Sequence, residues 1–150
     1  IMVGGNDWSS AERWIEQSDT LKFLKDPANN LAFEAHVYFD KDASGTYKYS
    51  YEEEECYPEK GIDRVKPFVE WIKQNKFHGF IGEYGIPDND PRWNETLDLF
   101  LGYLQENGIN GTYWAAGPWW DTYFMAITPK DGKDRPQMPI IEKYTSTLKK

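Results

Sequence analysis

Apolar, strand-like runs and amphipathic, helix-like segments alternate four times along this chain, and that rhythm allows very few folds. IMVGG (1–5) precedes a helical region from Ser9 to about Lys25. LAFEAHVYF (31–39) precedes a polar loop and then IDRVKPFVEWIKQN (62–75). HGFIGEYG (78–85) precedes PRWNETLDLFLGYLQENG (91–108). NGTYWAA (110–116) precedes a long loop and MPIIEKYTSTLKK (138–150). Strands that alternate with helices pair in parallel, because each return to the same sheet edge needs a crossover. An α/β fold with a parallel sheet follows, and 150 residues suit one domain, 1–150. The third helix is the most legible: Trp93, Leu97, Phe100, Leu101 and Leu104 recur at helical spacing between Pro91 and Gly108. Pro67 predicts a kink or a late start in the second helix. Ser9 and Ser10 read as helix caps.

The strands carry a second pattern. In LAFEAHVYF, Phe33, Ala35, Val37 and Phe39 share one face, and Glu34, His36 and Tyr38 share the other. A polar face on a buried strand reads as a barrel lumen or a cleft wall. Polar and aromatic residues also gather just past each strand's C-terminal end: Asn6, Asp7 and Trp8; His36, Tyr38 and Asp40; Glu83; Trp114, Trp119 and Trp120. Parallel α/β proteins build their sites at that edge. Glu83 has two readings, a capping or salt-bridged acid, and a nucleophile or general base on a rigid strand. Gly82 and Gly85 beside it would let a ligand approach the backbone. His36 and Tyr38 are either a satisfied half-buried pair or a pair that orients a carboxylate or a sugar hydroxyl. One of the three tryptophans in YWAAGPWW is expected in the core; exposed rings beside carboxylates suit pyranose faces.

Composition removes other classes. The formal charge of −8 argues against a nucleic-acid backbone as partner. No apolar run approaches the ~18 residues of a membrane span. The single cysteine, Cys56, excludes an internal disulfide and a thiolate metal cluster. His78 lies at the opposite end of its strand from Glu83, so no metal site is expected. Phosphate loops, nucleophile elbows and Cys/His pairs have no match. The aromatic share of 17% mildly favours a binding cleft. Glu52 to Glu55 read as a solvated loop. The opening residue, Ile1, sits inside an apolar run and suggests a mature, cleaved or excised start.

With those residues in view, the chain resembles glycoside hydrolase family 5, the endo-β-1,4-glucanases or cellulases. GGNDWSSA (4–11) resembles the loop after the fifth barrel strand, and HVYFDKDASGTY (36–47) the segment after the sixth. IGEYG (81–85) resembles the nucleophile segment after the seventh, and TYWAAGPWW (112–120) the tryptophan segment after the eighth. The resemblance implies a (β/α)8 barrel of which this chain is the C-terminal (β/α)4 half. It implies retaining hydrolysis of β-1,4-glucan, without metal or cofactor, by a secreted enzyme. Glu83 would be the nucleophile, and His36 and Tyr38 would line the cleavage subsite. Trp114 would be the sugar platform, with Trp119, Trp120 and Asp40 also on the substrate side and Asn6, Asp7 and Trp8 on the opposite wall.

One departure matters. Retaining hydrolysis needs two carboxyls about 5–5.5 Å apart. The family's acid/base is the Glu of an Asn-Glu-Pro segment after the fourth strand, and Asn94-Glu95, inside a helix and followed by Thr96, is not that segment. The expected partner is therefore a complementary N-terminal half-barrel bearing that Glu, with a β-glucan as substrate. A homodimer of halves, inactive, is the rival arrangement. A non-catalytic glucan-binding or structural half, and the same chemistry on mannan, xyloglucan or mixed-linkage glucan, are the competing functions.

Overall fold

A computed structural model describes residues 1–145. Its sheet has four strands in the order of the chain: β1 (Met2–Gly4), β2 (Ala32–His36), β3 (His78–Tyr84) and β4 (Asn110–Tyr113). Every neighbouring pair is parallel. That is the expected α/β architecture, half of a (β/α)8 barrel. Among the described residues, β1 and β4 each have one partner strand, so both outer edges of the sheet are open.

The helices cover one face. Helix α3 (Lys60–Asn75) and helix α4 (Arg92–Glu106) bury Val65, Phe68, Val69 and Ile72, and Leu97, Phe100, Leu101 and Leu104. Against them lie Phe33, Ala35 and Ile81, all 0% exposed. Each large side chain removed from water there contributes roughly 1.5–3 kcal/mol. Three of the seven tryptophans, Trp14, Trp71 and Trp93, are buried in this layer. Trp14 meets Phe68 edge-on at 4.7 Å and Trp71 at 5.5 Å. Much of the aromatic excess is thus core, and the other four tryptophans sit past strand ends.

Several expectations need correction. The first helical region is broken. Helix α1 (Asn6–Ser9) is a single turn with left-handed φ at Asp7, Trp8 and Ser9. Helix α2 (Trp14–Ser18) follows, then a 3₁₀ segment (Asp19–Phe23). Neither serine caps α2 through its N-cap position, which is Arg13. Ser9 instead accepts from Gly5 N at 2.6 Å and donates to the Glu34 carbonyl at 3.0 Å, clasping β1 to β2. Helix α3 starts earlier than expected and runs through Pro67, because the Asp63 carbonyl that loses its donor lies on an exposed turn. The acidic loop is not simply solvated: Glu54 is buried and accepts from Lys41 N and Tyr49 N. Helix α5 (Met138–Tyr144) occupies the start of the last expected helix, and the remainder of that helix, 146–150, lies outside the described residues. No described helix is long and apolar enough to cross a membrane.

Candidate active site

A break in strand register creates the site. Ala35 pairs with Ile81, but the next residue of β2, His36, pairs with Glu83. On the other side Ile81 pairs with Gly111 and Tyr84 with Tyr113. Strand β3 therefore carries one residue more than either neighbour, a bulge at Gly82–Glu83. Strict alternation would put Glu83 with Ile81 on the helix face. The bulge turns Glu83 to the lumen and sends Tyr84 onto Phe100 of α4, at 5.3 Å between ring centroids.

On the lumen face three side chains meet. The Tyr38 hydroxyl donates to Glu83 Oε2 at 2.9 Å. His36 Nδ1 lies 3.7 Å from the same oxygen, and His36 Nε2 lies 2.6 Å from Glu34 Oε1. Glu83 is 30% exposed at its side chain, open enough to meet a ligand. Burial, with the bond to Glu83 and its charge, pushes the Tyr38 pKa far above its usual value, so this hydroxyl stays a donor. Burial lowers the His36 pKa, but the hydrogen bond to Glu34 and the charges of Glu34 and Glu83 outweigh it and raise it overall.

The strand ends are cross-braced. Val37 N donates to the Glu83 carbonyl at 2.9 Å, and Ala11 N to the His36 carbonyl at 3.0 Å. The Tyr47 hydroxyl accepts from Phe39 N at 2.9 Å and donates to the Gly85 carbonyl at 2.6 Å, tying the β2 exit to the β3 exit. From α3, Arg64 donates to the carbonyls of Tyr38 and Lys41, at 2.5 and 3.0 Å. The two glycines beside Glu83 serve packing rather than ligand approach. A Cβ at Gly82 would stand 1.7 Å from Glu34 Oε1, and one at Gly85 would stand 2.4 Å from the Trp114 carbonyl oxygen.

A cleft of about 420 Å³ opens over this edge. Asp7, Trp8, His36, Tyr38 and Glu83 line it. Trp8 is 86% exposed, and Asp7 is paired with Arg13. Asn6 departs from expectation: its amide donates to the Gln17 carbonyl at 2.8 Å, within the α1–α2 segment. Asp40 departs further. It is 0% exposed and accepts from Ser44 Oγ and from the backbone N–H groups of Gly45, Thr46 and Tyr47. It organises its loop and offers nothing to a substrate.

The tryptophan segment starts at the same strand edge, past β4, where Trp114 N donates to the Tyr84 carbonyl at 2.8 Å. Trp114 is half-buried and meets Trp120 at 5.1 Å; Trp120 meets Tyr123 at 5.0 Å. Trp119 is 90% exposed. Three residues near the site escaped the sequence, Arg64, Tyr47 and Tyr123, while Glu34 was read only as the third polar member of the lumen face of β2. The three come from α3 and from loops, where no periodicity marks them. Among the described residues no group of three or more His, Cys, Asp or Glu is placed to hold a metal ion.

Four parallel βα units with a carboxylate raised at the C-terminal edge of the third strand define half of a (β/α)8 barrel with polar groups at its usual site edge. The profile of the cellulase family, glycosyl hydrolase family 5, matches residues 1–119, and the chain belongs to that family. It is 38% identical over 149 residues to the probable endo-β-1,4-glucanase B of Aspergillus kawachii, covering 96% of this chain and 43% of that protein. The Pseudomonas stutzeri endoglucanase Cel5A in complex with cellobiose superposes with a TM-score of 0.87 and 44% identity, over 97% of this chain and 44% of that one. The endo-β-1,4-glucanase Xac0029 of Xanthomonas axonopodis pv. citri superposes with a TM-score of 0.83 and 33% identity, over 97% and 49%. The chain thus spans less than half the length of each of these relatives.

Proposed function

We propose that this chain is the C-terminal half of a retaining endo-β-1,4-glucanase barrel and that Glu83 is its nucleophile. The observation that carries the reading is the Tyr38–Glu83 hydrogen bond of 2.9 Å at the lumen edge. It engages one carboxylate oxygen, Oε2. The other, Oε1, takes no hydrogen bond among the described residues and is the one left to attack a sugar carbon.

In this reading Oε1 bonds to C1 of the glucan as the glycosidic C1–O bond breaks. The leaving oxygen takes a proton from a second carboxyl, which then removes a proton from the water that releases the glycosyl-enzyme. That second carboxyl belongs to the four βα units that complete the barrel, on this polypeptide or another. The open edge of β1 supports a completing half, and so do Ile1, Met2, Phe23 and Leu24, all exposed large apolar residues. The cellobiose bound by the Pseudomonas stutzeri relative supports a β-1,4-glucan as substrate. A polymer of that kind places the work outside the cell.

The test is Glu83→Gln in the completed barrel, assayed on carboxymethylcellulose. Turnover should fall on the order of 10⁴-fold or more. Activity within a few-fold of the parent would remove Glu83 from the role.

A further inference from the structure

The β2–β3 seam holds a carboxylate for which the proposed reaction has no step. Glu34 stands two residues before His36 on the lumen face, with its side chain 17% exposed. A carboxylate so placed is costly unless paired. Gly82 leaves the space it occupies, since a Cβ there would overlap it at 1.7 Å. Ser9 holds the Glu34 carbonyl from the β1 side at 3.0 Å.

The contact with His36 decides what the imidazole presents to Glu83. Nε2 must carry a proton to bond a carboxylate. If the ring is neutral, Nδ1 then turns a lone pair toward Glu83 Oε2, 3.7 Å away. If the ring is cationic, Nδ1 turns an N–H. A carboxylate on each side favours the cation. Glu34 faces His36 from β2 and Glu83 faces it from β3. The Tyr38 hydroxyl adds no charge, because it stays protonated. In the same cleft Asp7 is paired with Arg13, and Arg64 of α3 lies 3.5 Å from Glu12. Those two pairs leave the Glu34 and Glu83 carboxylates as the dominant charges at the ring.

We propose that Glu34 is a positioning residue that acts through His36, holding the ring as an imidazolium with Nδ1–H aimed at Glu83. Glu83 Oε2 would then face the Tyr38 hydroxyl, a donor at 2.9 Å, and a cationic ring nitrogen 3.7 Å away. Both are in place before attack, and both are there to receive the carboxylate when water releases the sugar. This rests on Glu83 being the nucleophile.

The experiment is Glu34→Gln in the completed barrel. The variant keeps the side chain's size and one acceptor oxygen, removes the charge and turns the other oxygen into an NH2 donor. Labelling histidine with ¹⁵N within these 150 residues alone gives two imidazoles to follow, His36 and His78. The His36 titration should move to lower pH while that of His78 stays. The loss in kcat/KM at pH 7.5 should exceed the loss at pH 5 by about tenfold. A loss equal at both pH values, with the His36 titration unmoved, overturns the proposal and leaves Glu34 a packing residue. A moved titration with an unmoved pH profile also overturns it, because the ring's charge would then not bear on the reaction. Full turnover in Glu83→Gln overturns the parent reading and this proposal together, and that result needs no Glu34 variant.

Discussion

The β2–β3 seam and the loop after β4 lie at one edge of the sheet and are built by opposite means. In the seam, Glu34, His36, Tyr38 and Glu83 are set by strand register and by contacts of 2.6 to 3.7 Å between polar atoms. In the loop, Trp114, Trp120, Tyr123 and Phe124 follow one another by ring contact at 4.8 to 5.1 Å. Its polar anchors are Thr128, whose hydroxyl accepts from Gly117 N at 2.9 Å, and Arg135, which donates to the Asp121 carbonyl at 3.1 Å. Bond-making chemistry needs angles held by backbone, while a sugar face needs apolar area whose exact tilt can adjust on contact. The seam should therefore be intolerant of a single added carbon, and the loop tolerant of much larger changes.

The sharpest way to break that contrast is Gly82→Ala. The new Cβ would meet the Glu34 carboxylate inside van der Waals contact, so that side chain must move and break its contact with His36. Overpacking of this kind costs roughly 1–3 kcal/mol. Turnover in the completed barrel should drop by about 100-fold or more, because the displaced groups are the ones that face Glu83. Thermal melting and a cellulose assay read both effects. Adding Glu34→Ala should recover stability without recovering turnover. A Gly82→Ala enzyme with normal activity would show that the seam is not held by register.

The residues involved also show where sequence reading stops. The four strands, α3 and α4 were legible because burial imposes periods of two and 3.6, and those periods survive in the residues that meet the core. Glu83, His36 and Tyr38 were legible as strand-end polar groups on an otherwise apolar background. The bulge was not. Perfect alternation from Ile81 predicts the wrong face for Glu83, and only pairing with both neighbours forces the extra residue. Asp40 misled for a related reason: an acid after a strand looks the same whether it points into a cleft or is enclosed by its own loop. The left-handed turn at Asp7, Trp8 and Ser9 was equally hidden, since none of the three is glycine. Its hydrogen bonds to β2 and α2 come from residues distant in sequence.

Tyr38→Phe tests the seam at one atom. It removes the hydrogen bond to Glu83 and leaves the ring in its packed place. A bond to a charged group is worth roughly 1.5–3 kcal/mol, so kcat should fall about 10- to 100-fold, and the melting temperature should fall by several degrees with it. If kcat falls less than threefold, the hydroxyl is not what orients the carboxylate.

The seam should also give the fold a pH dependence that the loop does not. The His36 pKa is raised above its ordinary value of 6.5 in the folded chain. The folded state therefore binds that proton more tightly than the unfolded one. The resulting stability is complete below the unfolded value and is lost as pH rises through the folded one. The difference in melting temperature between the parent and His36→Gln should shrink by about 1–3 °C from pH 5.5 to pH 8. A difference that widens with pH would reverse the sign and mean that the ring is buried neutral.

Trp119→Ala should give the smallest effect and most directly probes the loop. The indole is 90% exposed and stacks on no neighbour among the described residues. Removing it deletes almost no buried area, so stability should change by less than about 0.5 kcal/mol. In the proposed function this exposed ring is a stacking surface for the glucan. A single weak stacking contact adds about 0.5–1.5 kcal/mol, so affinity for a long cello-oligosaccharide should fall roughly three- to tenfold. Cellobiose held at the Glu83 edge should bind unchanged. Isothermal titration with both ligands separates the outcomes. Equal losses for the two would place Trp119 at the cleavage point itself, and the division between a polar seam that cuts and an aromatic loop that holds would have to be redrawn.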